Sequence, residues 1–393
     1  MHQPTAYHGA GVRRHFDDRP LLVLWETTRA CPLACHHCRA DSQRTQAADD
    51  LTTTEALGLL DELAALGSPR PILILTGGDC LARRDLTAIV DHARTVNVPV
   101  AIAPSVSPNL TPSLMGRLRE LGVRTASVSL DGIDGTHDEL RGVRHHFQAT
   151  LRGISMLKKL GYTVQVNTTI SAANLDELAD VVAQLKRSAV DIWELFFVIA
   201  TGRGANVAAT SPEQNEDICN FLVDASRYGM TVRTVEAPFY RRVVLDRLAE
   251  CPGSVFGHQT GATYDSLLTR LHEALGPPPH SIRAPSVATR DGKGIVFVAA
   301  NGEVFPSGFL PVSLGSIRET PLVEIYRNHP LLQSIRSAAF PGVCGSCRFT
   351  DLCGGSRSRA YASSGDPLGD DPGCVLVTHN DSLQGRSRSK DVR

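Results

Sequence analysis

No uninterrupted apolar run in this 393-residue chain approaches the ~20 residues that a bilayer-spanning helix needs, so no such helix is expected. Neither sign of charge is in excess. The 40 basic residues face 41 acidic ones, which excludes a global electrostatic pull toward nucleic acid or membrane. Residues 1–20 are polar and lack a signal-peptide core, which predicts a cytoplasmic protein. No long-period repeat is present, so a solenoid is excluded. What the chain does have is a 42% apolar fraction, enough for a sizeable core. Its length suits one large domain plus a smaller one, or two domains. It also has ten cysteines, and in a reducing compartment these are ligands sooner than disulfides.

From residue 21 to residue 228, strand-like and helix-like segments alternate. Strands are expected at 21–26, 72–75, 98–103, 124–130, 163–170 and 191–199. Helices are expected at 53–66, 85–96, 111–121, 148–160, 175–186 and 212–228. Leu59, Leu63 and Leu66, for example, recur at helical spacing. Such alternation implies an α/β fold with a parallel sheet of six βα units, two short of a full barrel. Pro, Gly and Ser rise between residues 251 and 285, which marks a linker region at 236–290. Segments 295–299 and 303–305 flank Ala300-Asn301-Gly302 and read as a hairpin. A short helix is expected at 322–327, then a small cysteine-rich α+β domain within 291–377. Residues 378–393 are expected to form a polar, disordered tail.

The chain is organised around Cys31-Pro-Leu-Ala-Cys35-His-His-Cys38, just after the first strand. Three thiols cannot pair evenly into disulfides, but they can converge on an iron–sulfur cluster. Three ligands leave one iron of a four-iron cube open to a small molecule. The competing reading is a zinc site built from these thiols and His36 or His37. The adjacent pairs His36-His37 and His145-His146 read as solvent-facing or hydrogen-bonded.

CxxxCxxC at a strand end resembles the cluster motif of the radical S-adenosylmethionine (SAM) superfamily. The resemblance spans residues 21–374. It implies a partial (β/α)6 TIM-like barrel over 21–235, preceded by an extension at 1–20. It also implies a [4Fe-4S] cluster on Cys31, Cys35 and Cys38, whose open iron binds SAM and whose electron cleaves it to a 5'-deoxyadenosyl radical. Thr76-Gly77-Gly78-Asp79-Cys80 is similar to the family's GGE motif, with Asp79 for Glu and Cys80 for Pro. Gly77, Gly78 and Asp79 are then expected to hold the SAM ammonium. Ser105 at the third strand end and Asn167 at the fifth are expected near SAM. Ser129-Leu-Asp131-Gly132 resembles a signature of members with extra C-terminal clusters, which brings Ser129 near SAM and pairs Arg141 with its carboxylate. Thr201-Gly-Arg203-Gly204 is a candidate adenine or substrate loop.

Cys344-x2-Cys347-x5-Cys353-x20-Cys374 can close one further [4Fe-4S] cluster, with a four-cysteine zinc knuckle as the competing reading. The segment resembles the SPASM domain and its shorter relative, the twitch domain. Ser307 and Arg357 stand where the full SPASM pattern has two more cysteines, which implies one auxiliary cluster. Cys219 is expected as a buried hydrophobe and Cys80 as a spectator near the SAM pocket, while Cys251 has no clear role.

The Cys344–Cys374 segment is most similar to the branch that trims porphyrin propionates in haem b and haem d1 synthesis, and to mycofactocin maturases. The motifs fix the superfamily, not the substrate. The expected reaction is oxidative modification of a ribosomal peptide or related intermediate, by decarboxylation, dehydrogenation or cross-linking. Tetrapyrrole side-chain chemistry is the alternative, and a non-catalytic iron–sulfur electron carrier a further one. The expected partners are a flavodoxin- or ferredoxin-type reductant and, for a peptide substrate, a separate recognition protein, because only about twenty residues precede the first strand.

Overall fold

The computed structural model describes residues 16–40, 42–249, 260–282 and 289–378. Cys251, most of the N-terminal extension and the tail beyond residue 378 lie outside the described residues.

The six expected βα units form in order. Strands β1 (Leu22–Glu26), β2 (Ile72–Thr76), β3 (Val100–Ile102), β4 (Thr125–Ser129), β5 (Thr163–Ile170) and β6 (Ile192–Phe197) are neighbours in sequence order. Every adjacent pair among them is parallel. The helices are α1 (Thr53–Ala65), α2 (Leu86–Thr95), α3 (Pro112–Glu120), α4 (Asp134–Arg141), α5 (His146–Lys159), α6 (Leu178–Arg187) and α7 (Pro212–Ser226). Local chemistry starts several of them. Thr52 and Glu55 form a capping box on α1, and Ser211 and Gln214 form one on α7. Thr111 caps α3 ahead of Pro112. The eight-residue α4 was not expected from sequence, and α5 starts two residues earlier than expected.

The strands sort their side chains by the period of two. Val128, Val164, Val166, Trp193 and Leu195 are fully buried under the helices. The alternate residues Ser127, Ser129, Asn167, Thr169 and Phe196 line the concave side, where a cavity opens. In register, Ser129 lies beside Asn167, and Asn167 beside Glu194.

Three features depart from the expected layout. A seventh parallel strand, β7 (Thr231–Val235), extends the sheet past β6. The expected linker at 236–290 contains α8 (Tyr240–Ala249) and α9 (Ala262–Leu275). Leu267 and Leu271 recur at helical spacing and bury α9 against α6 and α7, which is why a stretch bordered by Pro and Gly is nevertheless folded. The cysteine-rich segment also shares its sheet with the barrel. It carries β8 (Arg290–Asp291), β9 (Gly294–Val298), β10 (Glu303–Phe305) and β11 (Gly315–Ser316). β9 and β10 make the expected hairpin, and β9 also pairs parallel to β1. The order is therefore β11-β10-β9-β1 and on to β7, an open eleven-stranded sheet with β8 beside β9. Helices α10 (Leu322–Asn328), α11 (Pro330–Arg336), α12 (Gly342–Ser346) and α13 (Arg357–Ser364) complete the described fold.

Candidate functional site

The cysteine loop is held by backbone pairing that continues past the ends of β1 and β2. Gly78 N donates to Thr28 O at 2.8 Å, and Asp79 N to Ala30 O at 2.8 Å. This approach explains both glycines. A Cβ on Gly77 would meet Thr28 O at 2.4 Å, and one on Gly78 would meet Ala30 O at 2.5 Å. On the other side, Arg203 clasps the loop. Its backbone N donates to Cys38 O at 2.9 Å and its Nε to Cys35 O at 2.9 Å. Gly202 has no room for a side chain, since its Cβ would lie 2.3 Å from Arg39 O.

Cys31, Cys35 and Cys38 line one cavity of about 210 Å³ at the C-terminal ends of the strands. Gly77, Gly78, Ser105, Ser129, Arg141 and Asn167 line it too. Ser105 Oγ donates to Gly78 O at 2.8 Å, so its 3.5 Å contact with Cys31 Sγ has the thiol as donor. Leu33 N donates to Cys31 Sγ at 3.4 Å, and Arg141 Nη1 lies 3.7 Å from Cys35 Sγ. Burial pushes the Cys31 thiol up from its ordinary pKa, so its thiolate needs a positive partner.

Asp79 departs from expectation. Its side chain is fully buried and does not line the cavity. It accepts from Leu81 N at 3.2 Å, Ser107 Oγ at 2.7 Å and Asn109 Nδ2 at 3.1 Å. A carboxylate one methylene shorter than Glu is held by its own turn and by the loop after β3. Cys80 is likewise fully buried in the core and absent from the cavity wall, as is Cys219.

Arg141 Nε pairs with the fully buried Asp131 at 2.6 Å. Burial raises the Asp131 carboxyl, but Arg141, the two neighbouring histidines and the Thr169 N–H together outweigh it and hold the pKa at about 2. His37 Nε2 lies 3.5 Å from the same carboxylate, and burial lowers the His37 pKa to about 4, so the ring is neutral. Of the other paired histidines, His146 is buried and hydrogen-bonded, whereas His36 and His145 are exposed.

Arg39, Phe196 and Phe309 also line the cavity, and sequence reading missed all three. Arg39 stacks 4.5 Å from the centre of the Phe297 ring and reaches Glu26 at 3.3 Å. The only available signal was a basic residue immediately after Cys38. Phe309 reaches the cavity only because β9 pairs with β1.

Cys344, Cys347, Cys353 and Cys374 line a second, small cavity with Phe239, Phe349 and Val377. Burial pushes Cys344 up to about 12 and also raises Cys353 and Cys374. Two backbone N–H groups aim at these sulfurs, Asp371 N at Cys344 and Gly355 N at Cys353, each at 3.4 Å. Gly355 leaves the room, because a Cβ there would lie 3.1 Å from Cys344 Sγ. Buried thiols with N–H donors fit a group that brings positive charge and takes sulfur ligands. Among the described residues, no three His, Cys, Asp or Glu side chains gather around a single ion. Arg357, at a position where the full SPASM pattern has cysteine, is fully buried over the Phe340 ring and donates to Gly369 O at 2.7 Å.

An open parallel barrel with a glycine-cradled trio of thiols at its strand C-termini is the architecture of an iron–sulfur barrel enzyme. The sequence profile of the Radical SAM superfamily matches residues 25–185. The chain is 34% identical over 359 residues to an AdoMet-dependent heme synthase of Methanosarcina barkeri, covering 91% of this chain and 96% of that protein. A protein of the same name from Nitratidesulfovibrio vulgaris is 32% identical, with 94% and 96% covered. Mycofactocin maturase MftC of Mycolicibacterium smegmatis is 24% identical, with 91% and 83% covered. Among solved structures, Streptococcus suis SuiB bound to precursor peptide SuiA shares the fold at a TM-score of 0.63 and 14% identity, with 94% and 78% covered. This chain belongs to the radical SAM superfamily. It is an enzyme of a family that binds a [4Fe-4S] cluster and SAM, which sets aside the bare electron carrier. Among the described residues, no helix is long and apolar enough to cross a membrane.

Proposed function

We propose that this enzyme oxidises a carboxylate-bearing side chain of a tetrapyrrole. Cys31, Cys35 and Cys38 hold the SAM-binding cluster, and Cys344, Cys347, Cys353 and Cys374 hold one auxiliary cluster. When bound, SAM supplies the radical that removes a hydrogen atom. The rest is positioning by this chain's own residues. The backbone at Gly77 and Gly78, with Ser105, Ser129 and Asn167, forms the wall against which SAM rests. Arg141, fixed by Asp131, presents a guanidinium toward its carboxylate. The observation that carries the substrate reading is the cavity wall itself. Arg39 offers a cation for a substrate carboxylate, beside the Phe196–Phe309 pair, whose ring centres are 6.1 Å apart and suit a flat apolar ring. The heme synthase relatives, matched along 96% of their length, support the same class.

Oxidative modification of a peptide is the second reading. It is favoured by relatives named PqqA peptide cyclase and mycofactocin maturase, each 24% identical over more than nine tenths of the chain. One experiment separates the two. Anaerobic enzyme with SAM and dithionite is given an iron porphyrin bearing propionates, or a candidate precursor peptide. The tetrapyrrole reading expects deoxyadenosine and carbon dioxide in step with loss of a propionate. Turnover of the peptide alone would replace it with the second reading.

A further inference from the structure

Between the two cysteine sites lies a buried acid pair that neither site uses. Glu236 follows β7 with its backbone in the left-handed region, at φ 62°, which a non-glycine residue seldom adopts unless its surroundings hold it there. Asp291 ends β8. Both are buried. Ser358 Oγ lies 2.9 Å from Glu236 Oε1 and 2.7 Å from Asp291 Oδ2, so one hydroxyl bridges the two carboxyls. Ser356 Oγ holds the other Glu236 oxygen. Charged groups around the pair include Arg357 and Arg359, and Arg359 is itself paired with Asp371 at 3.1 Å. Burial raises both carboxyls, and for Glu236 the neighbouring Asp291 adds to the effect.

The pair is connected in both directions. Ser356 N donates to Asp371 at 2.7 Å, and Asp371 N in turn reaches Cys344 Sγ at 3.4 Å. On the other side, Ser307 Oγ is 3.2 Å from Ser358 Oγ and accepts from the backbone N of Phe309, which lines the first cavity. Ser307 is one of the two positions where the chain departs from the full cysteine pattern.

We propose that Glu236 and Asp291 form a proton store that takes up one proton for each electron entering the four-thiol centre and returns it when the electron leaves. The electron comes from the substrate radical left after hydrogen abstraction and departs to an acceptor of the ferredoxin or flavodoxin class. The proton comes from water and forms an O–H bond on Glu236. Total charge in the buried region is thereby unchanged as the centre cycles, which avoids placing an uncompensated charge in a dry interior. This rests on the reading of Cys344, Cys347, Cys353 and Cys374 as a cluster site.

The test is a redox titration of the auxiliary cluster in iron-loaded full-length protein, from neutral to alkaline pH, with infrared difference spectra of the oxidised and reduced forms. Wild type is expected to lose about 59 mV of potential per pH unit over part of this range, which is the one-electron equivalent of a tenfold change in proton activity. A carboxyl C=O band should appear on reduction. Glu236→Gln should flatten the slope and remove the band. Should that variant fail to fold, Ser358→Ala keeps both acids, removes the bridge and is expected to displace the sloping region. A flat wild-type potential with no carboxyl band overturns the proposal. So does a stoichiometric calcium or magnesium ion that is lost in Glu236→Gln, which would make the pair a cation site. About four irons per chain instead of about eight overturns the cluster reading first, and is told apart from the other outcomes by the iron count alone.

Discussion

Arg141 Nε sits 2.6 Å from Asp131 Oδ2, and this pair ties the end of β4 to the cysteine loop. Asp131 also accepts from Thr169 N at 2.8 Å, which joins it to β5, while Arg141 Nη1 reaches Cys35 Sγ at 3.7 Å. One fully buried carboxylate thus sets the direction of the guanidinium that faces the cavity.

Asp131→Asn is expected to lower stability by about 2–4 kcal/mol, since it leaves a largely buried guanidinium at the cavity wall without its counter-charge. Asn still accepts from Thr169 N, so the loss reports the charge. Denaturant unfolding measures it, and a change below about 1 kcal/mol would show that water reaches Arg141 in the folded protein.

Gly78→Ala is expected to cost about 1–3 kcal/mol, because the new Cβ meets backbone at Ala30 O and Arg29 O and no side chain can swing aside. The displaced atoms belong to the loop that carries Cys31. Iron content after anaerobic reconstitution should fall by about half, while Gly116→Ala, inside helix α3 where a Cβ meets nothing within 4 Å, should leave iron unchanged and raise stability by about 0.5–1 kcal/mol.

The repeating part of the fold was legible because each barrel strand and helix carries its own periodicity. Trp193 and Leu195 are buried between less buried neighbours in β6, and Leu59 and Leu63 recur on α1. The pairing of β9 with β1 was not legible, because Val298 and Trp25 meet only through a register that no local pattern encodes. The candidate site divides in the same way. Cysteine and glycine spacing marked two cavities, whereas Arg39, the turned-in Asp79 and the Glu236–Asp291 pair depend on contacts between distant segments. Asp79 shows the limit most clearly, since its type matched the motif while its carboxylate caps the turn at Cys80–Ala82.

Acid is expected to weaken the fold through His137. Its Nδ1 accepts from Asp131 N at 3.0 Å, so Nε2 carries the proton and donates to His146 Nδ1 at 2.8 Å. His146 Nε2 then donates to Val106 O at 2.9 Å. A second proton on His137 would oppose the Asp131 N–H. Burial accordingly lowers its pKa from 6.5 to about 3, despite the Asp131 carboxylate. Between these values the unfolded chain binds the extra proton and the folded chain does not. This contribution is complete above pH 6.5 and is lost as pH falls toward 3, at up to about 1.4 kcal/mol per pH unit. Thermal midpoints measured across that range should drop with acid, and His137→Gln, which keeps an acceptor and a donor, should make the drop shallower.

The cysteines are expected to fall into three classes on substitution by Ala. Cys35→Ala removes one of the three thiols at the first cavity, so deoxyadenosine release from SAM should vanish and roughly half the iron should go. Cys347→Ala should also remove about half the iron, but some SAM cleavage uncoupled from product should persist, because the first cavity keeps its three thiols. Cys80→Ala should change neither iron nor SAM cleavage. Its thiol is packed in the core, and burial raises its pKa well above the ordinary value, so it acts as a small hydrophobe. The cost there is a cavity of one sulfur, about 1 kcal/mol of stability. Loss of SAM cleavage in Cys80→Ala with stability intact would place that thiol in the chemistry after all.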